Sequence, residues 1–316
     1  MLCNAKCQPV AGAPVTEPTE NPAALARPQP ASRMQILRAA HLGMCFGVRD
    51  AIALALDQSR PITILGDLVH NPVVLQQLAS HGVKTVHQAD EVATSAVMIT
   101  AHGTSRRAVA ELRGRGLDVV EATCPLVHVA HRAVAALVAE GFHPVIVGQR
   151  QHVEVRGLTG DLDAFDVVLT EEDVRQLAPR PRFGVAAQTT QPIERVRGLV
   201  ALLRARFPAS EVRFVDTVCQ PTKQRQSAAV EIARQADVVI VVGGAHSNNT
   251  RELAATCARQ GARVHQVQGP ADLRPEWLEN AAVVGLTAGT STPDAVIDAV
   301  EARLRALAGV LSQPAA

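Results

Sequence analysis

Residues 43–48 read Gly43-Met44-Cys45-Phe46-Gly47-Val48, and cysteines recur in the same local setting at Cys124 and Cys219. Each of these cysteines follows a short apolar run and opens an alanine-rich stretch with helical periodicity. They are 79 and 95 residues apart, which is far too long for a CxxC knuckle. We therefore predict that three separate parts of the fold each contribute one thiolate to a metal centre with an open position.

The composition excludes several classes of protein. A chain of 316 residues is long enough for about two domains, and three small ones are also allowed. The formal net charge of +1 and the 2% of aromatic residues argue against nucleic-acid binding. No apolar run approaches the roughly 20 residues that span a bilayer. Six cysteines without a secretory signal pattern indicate reduced thiols. We predict a cytoplasmic protein that binds neither nucleic acid nor membrane.

After Met34, short apolar runs alternate with polar loops and amphipathic stretches. Met34 is also an alternative start codon. This alternation is typical of βα units and a mostly parallel sheet. A set of four such units occurs three times, so we predict an α/β fold of three similar domains with pseudo-threefold symmetry and the three cysteine turns at one centre. The predicted boundaries are a disordered tail at 1–33, module 1 at 46–124, module 2 at 125–218, module 3 at 34–45 and 219–310, and a C-terminal tail at 311–316.

The polar loops of the second and fourth units predict an anion site. Ligands of open α/β sheets bind beyond the carboxyl ends of the strands, where helix N-termini present free N–H groups. We therefore expect one crevice shared by the three modules. Neither a Walker A sequence nor a convincing GxGxxG is present, so nucleotide binding is not predicted. The candidate donors to phosphate oxygens are His70, His102, Ser247, Asn249 and Ser291.

Glu154, two residues after His152, is the single carboxylate among these loops. A carboxylate close to a dry cluster has a raised pKa and can deliver protons at neutral pH, with His152 as a partner. The competing interpretation is a solvated glutamate at a loop tip.

The three matched cysteines allow three interpretations: an iron-sulfur site, a zinc site, or unrelated core cysteines. Structural zinc usually takes four protein ligands. A 4Fe-4S cluster on three cysteines leaves one iron free to act as a Lewis acid. Cys257 lies in a helical stretch and is predicted to be a buried core thiol, whereas Cys3 and Cys7 lie in the tail. The roles of His41 and His246 stay undecided. The other histidines outside the polar loops are expected to be structural or exposed, namely His81, His87, His128, His131, His143 and His265.

Taken together, the motifs resemble the 4-hydroxy-3-methylbut-2-enyl diphosphate reductase family, in order, from Met34 to about Leu307. The motifs that carry the resemblance are Gly43-Met44-Cys45-Phe46-Gly47-Val48, Val69-His70-Asn71, Ala101-His102-Gly103, Ala122-Thr123-Cys124-Pro125, His152-Val153-Glu154, Gln188-Thr189-Thr190, Cys219, Ser247-Asn248-Asn249 and Thr287 to Asp294. The resemblance implies a trefoil of three α/β domains around one 4Fe-4S cluster held by Cys45, Cys124 and Cys219.

The resemblance also implies an activity, the last step of non-mevalonate isoprenoid synthesis. In that family the substrate hydroxyl binds the open iron, two electrons and protons remove it as water, and isopentenyl and dimethylallyl diphosphate result. Glu154 is then expected to be the proton donor, with Thr189 and His152 beside it. The electron donor is expected to be a ferredoxin or flavodoxin. The expected substrate-binding residues are His70, His102, His152, Thr189, Ser247, Asn248, Asn249 and Ser291.

Three departures from the family pattern stand out: Met44 in place of a usual Phe, Val153 in place of a usual Pro, and residues 1–33, which have no counterpart. Met for Phe is a volume-similar swap that a core tolerates, whereas Val153 leaves the geometry of proton delivery open. Two rival functions are a dehydratase like quinolinate synthase and a non-catalytic iron-sulfur redox protein. The order of the loop motifs favours the reductase over the first, and the polar pocket weighs against the second.

Overall fold

Parallel strands separated by helices make up residues 34–311, the part of the chain that the computed structural model describes. The predicted disordered tail, with Cys3 and Cys7, lies outside these residues. The strands are β1 (Gln35–Arg38), β2 (Thr63–Leu65), β3 (Lys84–Val86), β4 (Ala96–Ile99), β5 (Asp118–Glu121), β6 (His143–Val147), β7 (Asp166–Val168), β8 (Arg182–Ala187), β9 (Glu211–Phe214), β10 (Val238–Val242), β11 (Arg263–Val267) and β12 (Val283–Ala288). The helices are α1 (Phe46–Leu56), α2 (Pro72–Ser80), α3 (Arg106–Gly114), α4 (Pro125–Ala139), α5 (Val153–Thr159), α6 (Glu171–Arg175), α7 (Ile193–Arg206), α8 (Gln220–Ala233), α9 (Asn248–Ala258) and α10 (Asp294–Leu311).

Three four-stranded sheets share one strand order: β3-β2-β4-β5, β7-β6-β8-β9 and β11-β10-β12-β1. Every pair of neighbouring strands is parallel. In each sheet the last-named strand lies at the edge and leads into one of the three cysteine turns. The predicted α/β fold of three similar domains is thus confirmed.

The strands of each sheet fall within one predicted module, and the module boundaries themselves remain predictions. At the C-terminus, α10 runs to Leu311, the first residue of the predicted tail. Residues 312–316 lie outside the described part. No helix among the described residues is long and apolar enough to cross a membrane.

Strand β10 illustrates how helices cover both faces of a sheet. It consists of valines and one isoleucine, all buried, as expected of a central parallel strand. Alternate residues face opposite sides: Val238, Ile240 and Val242 pack with α10, and Val239 and Val241 pack with α8 and α9. Cys257 is fully buried in the second of these clusters, the position expected of a core thiol. Helices on both faces leave the carboxyl ends of the strands as the natural place for a ligand.

Candidate active site

Each of the three cysteines is the N-cap residue of a helix: Cys45 of α1, Cys124 of α4 and Cys219 of α8. The backbone N–H of each donates to a carbonyl in the polar loop that follows β12, β4 or β8. These bonds are Cys45 N to Thr290 O, Cys124 N to Ala101 O and Cys219 N to Thr189 O, each 3.0 Å. The same hydrogen bond in all three modules therefore ties every cysteine turn to a polar loop.

The structure brings the three cysteines close together. A Cβ atom placed on Gly47 would lie only 2.5 Å from Cys124 Sγ, so α1 passes directly over that sulfur. Cys45 lies close enough to Cys124 and Cys219 for its thiolate to raise the pKa of both. All three are half-buried free thiols. The donor set is thus three soft sulfur ligands from three modules, which suits an iron-sulfur centre or a zinc ion.

The spacing of the sulfurs favours the larger centre. Among the described residues, only His70, His102 and His152 form a group of three possible ligand atoms that all lie within 4.8 Å of one another. A single tetrahedral zinc ion would bring three thiolate sulfurs to about 3.8 Å from one another. At least one pair of the cysteine sulfurs is therefore more than 4.8 Å apart, which is wider than a single tetrahedral zinc ion would hold them.

Burial opposes ionisation of the free thiols. It raises the pKa of Cys124, and it raises the pKa of Cys219 to about 11, although helix N-terminal amides partly counteract the effect. Cys219 Sγ also lies 3.1 Å from Thr222 Oγ1, whose hydroxyl can donate to a thiolate. A bound metal would supply the charge that these buried thiolates need.

Glu154 lies at the start of α5 and is 1% exposed. Its backbone N–H donates to Nδ1 of the N-cap residue His152 at 3.1 Å, and its Oε1 accepts from the Thr189 N–H at 2.7 Å. Burial raises the pKa of Glu154 to about 7, despite these stabilising bonds from Thr189. Its charge also interacts with Cys124 and Cys219. Glu154 is thus a buried acid beside the cysteines, and not a solvated loop tip.

His70, His102 and His152 form one cluster of rings. The His70 and His102 rings stack at 4.4 Å between centroids, and His152 meets them edge-on at 5.3 and 5.4 Å. Burial lowers the pKa of all three, that of His152 to about 3, so the rings are neutral at pH 7 when the pocket is empty. Nδ1 of His102 is buried without a hydrogen-bond partner and is free for a ligand.

A polar pocket extends from this cluster to the N-terminus of α9 and the loop after β12. Asn248 Nδ2 donates a hydrogen bond to Thr190 Oγ1, and Asn249 Oδ1 accepts one from the Thr290 N–H. The other amide atom of each asparagine is buried without a partner. Within residues 34–311, no Lys or Arg belongs to the pocket lining, which consists of Val48, Val69, His70, His102, His152, Thr190, Ser247, Asn248, Asn249, Thr290 and Ser291.

Thus the histidines, the α9 side chains and Ser291 predicted from the sequence line one pocket, while Thr189 faces Glu154. Thr190 and Thr290 belong to loops singled out in the sequence but were not predicted as site residues. Thr222 was also missed, and its only signal is its place one helical turn after Cys219. Of the two undecided histidines, His41 is exposed, and His246 is exposed but interacts electrostatically with His70.

Comparison with known proteins gives a family match over most of the chain. The model of the family described as LytB protein matches residues 36–305. The chain is 37% identical over 275 residues to the 4-hydroxy-3-methylbut-2-enyl diphosphate reductase of Pelobacter propionicus, covering 86% of this chain and 98% of that protein. It is 35% identical over 283 residues to the reductase of the same name from Aquifex aeolicus, covering 86% and 96%.

Two solved structures share the fold. The E-1-hydroxy-2-methyl-but-2-enyl-4-diphosphate reductase of Plasmodium falciparum superposes with a TM-score of 0.80 at 25% identity, covering 89% of each chain. An (E)-4-hydroxy-3-methyl-but-2-enyl diphosphate reductase, described as the terminal enzyme of the non-mevalonate pathway, has a TM-score of 0.62 at 34% identity. That match covers 86% of this chain and 99% of the other.

Proposed function

Because this chain belongs to the LytB family, whose matched members are 4-hydroxy-3-methylbut-2-enyl diphosphate reductases, we propose that it is such a reductase. The reaction removes the hydroxyl group of the allylic diphosphate as water, with two electrons and two protons. It yields isopentenyl or dimethylallyl diphosphate, depending on which end of the allylic unit takes up a proton. The observation that carries the proposal is one buried acid, Glu154, between three converging cysteines and an anion-type pocket.

Cys45, Cys124 and Cys219 would hold one 4Fe-4S cluster per chain. When bound, this cluster supplies the electrons and a Lewis-acidic iron for the hydroxyl group. This assignment is supported by the wide spacing of the sulfurs and by the hydrogen bond that joins each cysteine turn to a polar loop. The electrons come from a low-potential donor such as a ferredoxin or flavodoxin, and the reducing cytoplasm, which keeps thiols free, is the proposed location.

Glu154 is the proposed proton donor. With a pKa of about 7 it is protonated in a large fraction of molecules at neutral pH. Thr189 positions it, because the Thr189 N–H holds one carboxyl oxygen at 2.7 Å. His152 fixes the start of α5 by accepting the Glu154 N–H, so the carboxyl side chain has one orientation. Burial keeps water out and raises the pKa of Glu154, whereas the Thr189 contacts lower it and hold the carboxyl group in place.

The pocket beyond Glu154 is the proposed site of the diphosphate. Neutral histidine N–H groups, hydroxyl groups and asparagine amides can all donate to phosphate oxygens. The unpartnered Nδ1 of His102 and Nδ2 of Asn249 are the donors most clearly in need of such an acceptor. The proposed binding residues are His70, His102, His152, Ser247, Asn248, Asn249 and Ser291, with Thr189 at the junction to Glu154.

Turnover under strict anaerobiosis tests the proposal. Reconstituted protein is supplied with the hydroxylated allylic diphosphate and a chemically reduced viologen, and the two product diphosphates are quantified. We expect activity in the parent protein, and a loss of at least about 100-fold in Glu154→Gln with unchanged iron content, as is typical when a general acid is removed. Near-parental activity of Glu154→Gln would remove it as the acid, and an inactive, iron-loaded parent would overturn the function.

A further inference from the structure

Arg225 in α8 is a buried arginine, 7% exposed, and is not among the proposed cluster ligands or substrate-binding residues. Its Nε and Nη2 donate to the carbonyl oxygen of Gly43 at 2.9 and 2.6 Å, and its Nη1 donates to that of Pro221 at 3.0 Å. Gly43 lies two residues before Cys45, and Pro221 lies two residues after Cys219. One guanidinium therefore joins two of the three cysteine turns.

The backbone at Gly43 is adapted to this contact. Gly43 has φ +73°, a left-handed conformation that favours glycine. A Cβ atom there would also lie 2.7 Å from Ile297 Cδ1. Both restrictions leave glycine as the residue that can turn this carbonyl toward Arg225.

Among the described residues, Arg225 has no carboxylate partner, although a buried guanidinium needs a compensating negative charge. Its three bonds all go to neutral carbonyl groups. The negative groups that act on it most strongly are Cys45 and Cys219. Asp294 contributes less and lies 3.7 Å from the exposed Arg49, whose positive charge opposes that of Arg225.

The pseudo-threefold repeat is broken at this position. Arg225 is the sixth residue after Cys219, and the sixth residues after Cys45 and Cys124 are Ala51 and Ala130. Both alanines are buried. Only one of the three cysteine-led helices thus carries a cation into the centre, so the arginine is not a requirement of the repeated fold.

We propose that Arg225 is a positioning residue for the iron-sulfur centre, whose guanidinium compensates the negative charge of the thiolates and makes the centre easier to reduce. This inference rests on the proposed function, since it assumes that the cysteines hold a cluster. Reduction adds a negative charge, and a fixed positive charge in a region of low dielectric constant stabilises the reduced form. The two carbonyl contacts keep that charge beside Cys45 and Cys219.

The test is a redox titration of the reconstituted full-length protein, followed by absorption and electron paramagnetic resonance. Arg225→Gln removes the charge, and we expect a midpoint potential more negative than that of the parent. Arg225→Lys keeps the charge, and its potential should stay close to the parental value. The matched control is Arg49→Gln, an exposed arginine four residues after Cys45, which should shift the potential much less than Arg225→Gln does because water screens its charge.

If Arg225→Gln cannot hold iron, the iron contents of the two variants are compared. Full iron occupancy in Arg225→Lys would then show that the centre needs the positive charge. Loss of iron from both variants with a folded protein would contradict charge compensation, as would a potential in Arg225→Gln equal to that of the parent. A parent protein that binds no cluster at all would instead overturn the proposed function, and this inference with it. The two failures are therefore distinguishable.

Discussion

At the scale of single residues, the site depends on burial acting in opposite directions on acids and bases. Burial disfavours the charged form of any group, so it raises the pKa of Glu154 and lowers the pKa of His70, His102 and His152. The result is an uncharged pocket that holds one proton on a carboxyl group near pH 7. The sequence alone allowed Glu154 to be either a buried acid or a solvated loop tip, because burial depends on packing of distant segments.

The first prediction concerns the pH dependence of turnover. Glu154 is protonated below its pKa of about 7 and loses its proton above it. The rate should therefore stay level on the acid side and fall as the pH rises through 7, approaching a tenfold loss per unit in the alkaline limit. Steady-state turnover between pH 6 and 9 measures this. A rate that is constant up to pH 8.5 would contradict the assignment of Glu154 as the acid.

A second prediction concerns diphosphate binding. Because no Lys or Arg in the described part of the chain lines the pocket, a bound anion draws protons onto the histidines, while Asp67, His246 and Arg251 modulate their charge. Binding should therefore take up protons and tighten as the pH falls from 8 to 6. Titration calorimetry with inorganic diphosphate in two buffers of different ionisation enthalpy counts these protons.

The matched control for that measurement is His102→Asn, which should take up fewer protons. The ionisation of free diphosphate is common to both proteins and therefore cancels in the comparison. Equal uptake by the parent and the variant would show that His102 is not protonated on binding.

At the scale of elements, the helix starts were predictable and the strand order was not. The sequence predicts that each cysteine begins a helix, and each is indeed an N-cap residue. It does not reveal that β1, β5 and β9 are edge strands, because pairing order depends on contacts between distant segments. The shared bond of each cysteine N–H to the loop after β12, β4 or β8 follows from that order.

Helix α1 supplies a third prediction, through its close approach to Cys124. In Gly47→Ala the new methyl group would lie 2.5 Å from Cys124 Sγ and would displace the sulfur. We expect loss of most of the cluster iron, measured per chain after anaerobic reconstitution. Gly198→Ala in α7, where a Cβ meets nothing within 4 Å, is the control and should keep full iron. Full iron in Gly47→Ala would show that the sulfur tolerates displacement.

Helix α5 supplies a fourth prediction and answers the question raised by Val153. Val153 is the first helical residue after the N-cap His152, a position where proline is well accepted. His152 has φ −69° and ψ 138°, a conformation compatible with a following proline. Val153→Pro should therefore raise the free energy of unfolding by about 0.4–1 kcal/mol. Thermal unfolding measures this, and a lower melting temperature would mean that the start of α5 needs the Val153 side chain or N–H.

At the scale of the whole molecule, three modules meet where their cysteine turns and polar loops converge. The repeated four-unit pattern was enough to predict three domains and a common centre. It could not predict Arg225, because that residue departs from the repeat and its role arises only where α8 packs against the loop before Cys45. The contacts of Arg225 to Gly43 join two distant segments of the chain, and a pattern within one segment does not contain them.

We propose that Cys45, Cys124 and Cys219 hold one 4Fe-4S cluster that faces the substrate pocket. Electron paramagnetic resonance of the anaerobic, chemically reduced protein, recorded with and without the hydroxylated allylic diphosphate, tests it most directly. We predict the spectrum of one reduced 4Fe-4S cluster per chain, and a clear change of that spectrum when the substrate is added. A protein without an iron-sulfur signal would rule out the cluster, and a signal that the substrate leaves unchanged would rule out its contact with the substrate.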